Sequence, residues 1–246
     1  MKSESNTKIA LITGCTRGLG LAVARLLAAQ NYKIILTGRS QRMLEIACKQ
    51  LMNPENHVIF CGDLLEENTI RSLCDLPFFP DVIVHSLGGK IEGDEQPLKD
   101  DILARSVALN LGVAASLNSH YLPLMKQAAR GRIIHISSDA SETGRSAPGY
   151  VAAKAAINAY VKSTARFYAK YNIMMCAVLP SVFLYPDSVW DTKRKTEPQC
   201  YEKRLQEQPL GRFLLVEEIS QIIAEMASSN SMTYTGTMVK LTGAYS

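Results

Sequence analysis

Short apolar runs recur along the chain with longer, helix-patterned stretches between them. The runs are residues 8–13 (KIALIT), 33–38 (KIILTG), 57–61 (HVIFC), 81–85 (DVIVH), 132–137 (RIIHIS) and 173–179 (IMMCAVL), with 237–241 (TMVKL) as a seventh. They are too short for helices and carry no polar alternation, so they read as strands buried on both faces, which is the signature of a parallel sheet. Residues 18–30 place Leu19, Val23, Leu26 and Leu27 at helical spacing. Residues 41–52 and 66–74 also read as helices, 99–129 as one or two helices, and 149–171 as a long Ala-rich one. Right-handed crossovers then predict an α/β, doubly wound parallel sheet of about seven strands with helices on both faces. No repeat or Pro/Gly/Ser linker divides the 246 residues, so a single domain over 1–246 is expected. Residues 181–211 hold the only tryptophan, Trp190, but no clear strand, and are expected to form a substrate flap.

Composition narrows the functional classes. Hydrophobic residues make up 47% and charged residues 20%, which is globular usage. A net charge of +4 is too mild to point to nucleic acid. No apolar run approaches the ~18–20 residues that cross a bilayer. Residues 1–8 read as a polar lead without a signal-peptide core. The six cysteines form no CxxC pair, and the four histidines form no ligand-spaced pair. That pattern predicts neither a disulfide framework nor a metal site, and a reduced, cytoplasmic protein.

The first run leads into Thr13-Gly14-Cys15-Thr16-Arg17-Gly18-Leu19-Gly20, followed by a helical pattern. Glycines in a strand-to-helix turn let a diphosphate approach the backbone, where free N–H groups and the helix dipole hold its charge. An NAD site usually places an acid near the end of the second strand, to accept from the ribose 2′-OH. Here that stretch reads Leu36-Thr37-Gly38-Arg39-Ser40, with no acid, and Arg39 stands nineteen residues beyond Gly20. Arg39 and Arg17 suit a 2′-phosphate, so NADP(H) is expected over NAD(H).

Tyr150 and Lys154 are four residues apart and share one helix face. A tyrosine holds its proton to ~10, and a neighbouring ammonium together with the positive oxidised nicotinamide is expected to lower that value. With these motifs the chain resembles the short-chain dehydrogenase/reductase family over essentially its whole length. The family's TG-x-x-x-G-x-G matches Thr13, Gly14, Gly18 and Gly20, and its Y-x-x-x-K matches Tyr150 and Lys154. Its helix asparagine matches Asn110, and its adenine-contacting acid matches Asp63. Residues 209–213 (PLGRF) and Leu241-Thr242-Gly243 also look like family features.

The resemblance implies a Rossmann fold and a set of roles. Tyr150 would donate the proton to the substrate oxygen, and Lys154 would hold the nicotinamide ribose and tune Tyr150. Asn110 would hold a relay water. A serine would hydrogen-bond the substrate oxygen: counting back thirteen residues from Tyr150 selects Ser137, whereas strand geometry selects Ser138, which is preferred. The implied cofactor set takes Gly14, Thr16, Arg17, Gly18, Leu19 and Gly20 from the first loop, then Arg39. Asp63 and Leu64 follow the third strand, Ser86 and Gly88 the fourth, and Pro180 and Val182 lie after the sixth, with Tyr150 and Lys154 completing the set.

Three positions depart from the family pattern. His85-Ser86-Leu87-Gly88 stands for Asn-Asn-Ala-Gly, Pro180-Ser181 for Pro-Gly, and Tyr185 for a threonine that often meets the carboxamide. His85 is expected to pack as a replacement for Asn, and Cys15 to fill space. Lys193-Arg194-Lys195 reads as a solvated face, with steering of an anionic substrate as the alternative. The Ala-rich helix and the helix carrying Asn110 are implied dimer faces, so a homodimer or homotetramer is expected. The activity implied is NADP(H)-dependent reduction of a carbonyl to a secondary alcohol, or its reverse. Dehydrogenation of a sugar or secondary-metabolite hydroxyl, and a silent dinucleotide-binding sensor or scaffold, are the alternatives.

Overall fold

The computed structural model describes residues 7–245. Strand β1 (Ile9–Thr13) leads to helix α1 (Gly18–Ala29), β2 (Lys33–Gly38), α2 (Gln41–Cys48), β3 (Val58–Cys61), α3 (Glu67–Cys74) and β4 (Val82–His85). Helix α4 (Asp100–Val107) passes through one π-turn (Ala108–Gly112) into α5 (Val113–Ala128). Then come β5 (Gly131–Ile136), the four-residue α6 (Ala140–Thr143), α7 (Pro148–Tyr168) and β6 (Ile173–Pro180). The chain continues with β7 (Phe183–Leu184), α8 (Val189–Thr196), α9 (Pro198–Gln206), β8 (Leu214–Leu215), α10 (Val216–Ser228) and β9 (Met238–Leu241).

Seven strands form one parallel sheet in the order β3-β2-β1-β4-β5-β6-β9, as the buried apolar runs predict. Strand direction reverses its walk between β1 and β4, the switch point at which such sheets bind ligands. Every residue of β6 is buried, because helices cover both of its faces. One face packs Ala10, Ile12, Val84 and Ile134 under α1 and α10. The other packs Leu11, Ile83, Ile133 and Met175 under α3, α5 and α7. Helix α7 meets the sheet through Ala153, Ile157, Val161 and Ala165, a stripe at four-residue spacing and 0–1% exposed. Each branched aliphatic so buried is worth ~1.5–3 kcal/mol.

Residues 181–211 fold as β7, α8 and α9, and β7 pairs with β8 in a small parallel ladder. Trp190 and Tyr201 both pack on the Phe213 ring, which fixes the flap helices to the turn before β8. Tyr245, the last described residue, is held to the flap as well. Tyr245 accepts from Arg145 at 2.9 Å and from Arg204, and donates to Glu207 at 3.2 Å. Helix α10 lies where the sequence reading assigned no element.

Candidate active site

In a parallel sheet every strand ends at the same edge, and the expected site residues cluster along that edge. Gly14 (φ +67°) and Gly18 (φ +57°) take left-handed backbone that favours glycine. A Cβ on Gly14 would stand 2.9 Å from the Leu87 Cα, and one on Gly20 would stand 2.6 Å from the Gly14 carbonyl oxygen. Thr13 Oγ1 accepts from the Ser86 and Leu87 N–H groups, both at 3.1 Å, tying this loop to the one after β4. Arg17 is the N-cap of α1 and its side chain makes no capping bond, so the helix start keeps its donors for another acceptor. The loop therefore fits a dinucleotide diphosphate on shape and on donors. Tyr185 lays its ring against Gly18, 3.0 Å from where a Cβ would sit.

Thr16 packs on Gly38 at the end of β2. Arg39 is exposed, with Nη1 3.9 Å from Asp63 Oδ2, which brings the two predicted ends of an adenosine pocket together. Leu64, next after Asp63, is buried in the core. Ser181 does not adopt positive φ, and its N–H donates to the Leu241 carbonyl at 3.0 Å, so this position does not need the family's glycine. Pro180 closes β6, and Val182 follows in the link to β7.

The residues expected to handle the proton meet above β5. Ser138 lies beside Tyr150, whereas Ser137 turns away and donates to the Lys154 carbonyl at 3.1 Å. Lys154 is buried, with Nζ 5.5 Å from the Tyr150 ring centroid and donating a 2.7 Å hydrogen bond to the Ile136 carbonyl oxygen. Burial lowers the Lys154 ammonium to about 7. The sequence reading expects that ammonium to lower the Tyr150 phenol. Burial instead raises Tyr150, and the Ser138 hydroxyl only works against that rise. A lysine that has itself lost much of its hold on a proton is a weak counter-charge.

Asn110 sits in the π-turn between α4 and α5, the kind of helix widening often found at functional sites. Its Nδ2 donates to Ser106 O at 2.9 Å and Gly89 O at 3.0 Å, and its Oδ1 accepts from Gly89 N at 2.9 Å. A Cβ on Gly88 (φ +155°) would stand 2.6 Å from Asn110 Oδ1 and 3.2 Å from Lys154 Nζ. Glycine there lets Lys154 and Asn110 share one small space.

Asp94 and the partners of His85 lie outside the sequence expectations, whereas His85 and Cys15 themselves do not. Asp94 accepts from the Gly149 and Tyr150 N–H groups at 2.7 and 2.8 Å. His85 donates through Nε2 to Asn118 Oδ1 at 2.9 Å, and Asn118 Nδ2 donates to His135 Nε2 at 3.3 Å and Tyr160 OH at 3.2 Å. The two imidazoles are register partners on β4 and β5 and lie 4.5 Å apart. Burial holds His85 down to about 4 and His135 well below its usual range. His85 thus packs as a neutral side chain, and its pairing with His135 and its bond to Asn118 lie outside the motif. Cys15 donates to the Thr37 carbonyl, and burial pushes its thiol up to about 12, the opposite of an activated cysteine.

Lys193 and Arg194 pair within the flap with Glu197 (2.7 Å) and Asp191 (2.9 Å), and Lys195 reaches Asp191 at 3.7 Å. Among the described residues no acid, cysteine or histidine cluster has metal-holding geometry.

A glycine-lined strand-to-helix turn at the switch point, with a Ser-Tyr-Lys set on the β5–β6 crossover, defines a dinucleotide-dependent oxidoreductase of the doubly wound class. Residues 8–196 match the family model described as short chain dehydrogenase, and the chain belongs to that family. It is 30% identical over 239 residues to the 3-oxoacyl-[acyl-carrier-protein] reductase FabG of Rickettsia prowazekii, covering 96% of this chain and 95% of that one. It is 28% identical to a monensin polyketide synthase putative ketoacyl reductase of Streptomyces virginiae, covering 98% of each. Among solved structures it resembles a 3-oxoacyl (acyl-carrier-protein) reductase of Agrobacterium tumefaciens with NADP bound, at a TM-score of 0.86 and 26% identity. That match covers 96% of this chain and 93% of the other.

Proposed function

We propose that this protein is an NADP(H)-dependent reductase that converts a small-molecule ketone to a secondary alcohol. The observation that carries the reading is the Tyr150–Lys154 pair beside Ser138, at the sheet edge that also holds the glycine loop. The ketoacyl reductases among its relatives, one solved with NADP, support both reaction class and cofactor. Gly14, Gly18 and Gly20 would admit the diphosphate, Arg17 and Arg39 the 2′-phosphate, and Asp63 with Leu64 the adenine. Ser86, Gly88, Pro180 and Val182 would line the nicotinamide half. When bound, the dinucleotide supplies or accepts a hydride at the carbonyl carbon.

The residues of the chain then handle the proton. Tyr150, held protonated by burial, is suited to give its phenolic proton to the carbonyl oxygen as the carbon–oxygen π pair moves onto that oxygen. Ser138 would orient the same oxygen, and Lys154 would hold the ribose. Asn110, fixed on Gly89 beside Lys154, would connect the lysine to solvent through a water. The same reading places the enzyme in the cytoplasm, consistent with six free thiols, and makes it a homodimer or homotetramer through α5 and α7.

Carbonyl-dependent NADPH oxidation across a panel of β-keto thioesters and simple ketones tests the proposal. Tyr150→Phe is expected to lower kcat by about 10²–10⁴-fold while NADPH still binds. Equal turnover in parent and variant would defeat the mechanism. Binding of NADPH without any turnover would favour the sensor alternative, and turnover of hydroxyl substrates alone would favour the dehydrogenase.

A further inference from the structure

One loop touches three of the four proton-handling residues. Leaving β4, the chain runs through Gly88 beside Lys154 Nζ and Asn110 Oδ1. Gly89 then exchanges two hydrogen bonds with the Asn110 amide. A turn follows, in which Asp94 N–H donates to Ile91 O and Gly93 takes φ +77°. That turn delivers the half-buried Asp94 carboxylate to the start of α7, where each oxygen takes one backbone N–H: Oδ1 from Gly149 and Oδ2 from Tyr150. Inside α7 these two amides have no partner, because a helix leaves its first N–H groups unpaired. No side chain next to α7 in sequence caps it either, since the N-cap is Ala147. The cap comes from more than fifty residues away.

We propose that Asp94 is a positioning residue for Tyr150. Its carboxylate clamps the peptide unit that carries the tyrosine and holds it in register with Asn110 and Lys154 through the 88–94 loop. This rests on the reading of Tyr150 as the proton donor. A cap serving only helix stability needs one acceptor of any kind near the N-cap. Here both oxygens are spent on two consecutive amides, the second that of Tyr150 itself. Gly149 is part of the device, because a Cβ there would stand 2.9 Å from Asp94 Oδ1 and displace the carboxylate.

The test compares Asp94→Ala, Asp94→Asn and Gly149→Ala in the NADPH-bound protein. Asparagine keeps one acceptor oxygen but turns a donor toward the other amide, so it restores half of the clamp. Amide hydrogen exchange at positions 149 and 150 is expected to quicken by about tenfold or more in Asp94→Ala and Gly149→Ala. In the same variants kcat is expected to fall by about tenfold or more, since misplacement by ~1 Å can cost ~10²-fold. The KM for NADPH should stay within about threefold, and Asp94→Asn should fall between Asp94→Ala and parent. Should Asp94→Ala fail to fold, Asp94→Asn and Gly149→Ala carry the comparison. Unchanged exchange would overturn the clamp whether or not the enzyme reduces a carbonyl. Faster exchange with kcat within about twofold of parent, at a temperature below both unfolding midpoints, would reduce Asp94 to a structural cap and overturn the positioning role.

Discussion

His85 and His135 show how a single side chain can set the acid tolerance of the molecule. Both imidazoles are buried and neutral, and His85 keeps its proton off until about pH 4 against an ordinary value of 6.5. The unfolded chain takes up that proton near 6.5, so below that point it binds more protons than the folded protein. The stabilising contribution is complete above pH 6.5 and is lost as pH falls toward 4, amounting to about 3 kcal/mol for His85 alone. Denaturant unfolding followed from pH 7 to 4.5 should therefore show a steep loss, and His85→Asn should flatten it. An equal acid loss in both proteins would exclude His85 as the source. His85, Ser138, Tyr150 and Lys154 were legible one at a time, since a motif names residue types at fixed spacing. The Asn118 bridge was not, because a hydrogen bond between β4 and α5 leaves no spacing in the sequence. Asp94 was invisible for the same reason.

At the scale of elements, the glycine loop and α1 act together. Gly20→Ala would drive a Cβ into the Gly14 carbonyl, a backbone atom that cannot rotate away. Fluorescence titration should show NADPH affinity weakened by about tenfold or more, since the amides that face a diphosphate must move. Arg39→Asp at the end of β2 should narrow the preference for NADPH over NADH by about tenfold, because a carboxylate repels a 2′-phosphate and accepts from a 2′-hydroxyl. Tighter NADH than NADPH binding in the parent would show that the charge argument is wrong. Most elements lie within a few residues of where hydrophobic spacing put them. Helix α10 lies outside the predicted elements although its signals are present: Glu217 and Glu218 in the first turn, and Val216, Ile219 and Ile223 at helical intervals. Its start is also clamped by Arg212, which holds Glu218 through two bonds of 2.7 and 2.8 Å. The flap was legible only as a gap between strands, because its packing depends on Phe213, a residue outside it.

For the whole molecule, the alternation of strand and helix carried the sheet and placed the site along one edge. It did not carry the association of subunits. Leu124 on α5 and Phe167 on α7 are 40% and 58% exposed, which is compatible with faces covered by a second copy. Light scattering at micromolar protein should give a dimer or tetramer, and a monomeric mass would remove that expectation. The hold on Tyr245 bears on handling. Arg145 belongs to the loop that precedes Tyr150, and Arg204 and Glu207 to the end of the flap, so one phenol fastens both to the last described residue. Any purification tag or fusion partner extended past Tyr245 starts from that fastening and puts the 145–150 loop and the end of α9 under load. β1 starts at the opposite edge of the sheet, and activity compared between tags placed ahead of β1 and past Tyr245 would report how far the Tyr245 fastening sets the shape of the loop before Tyr150.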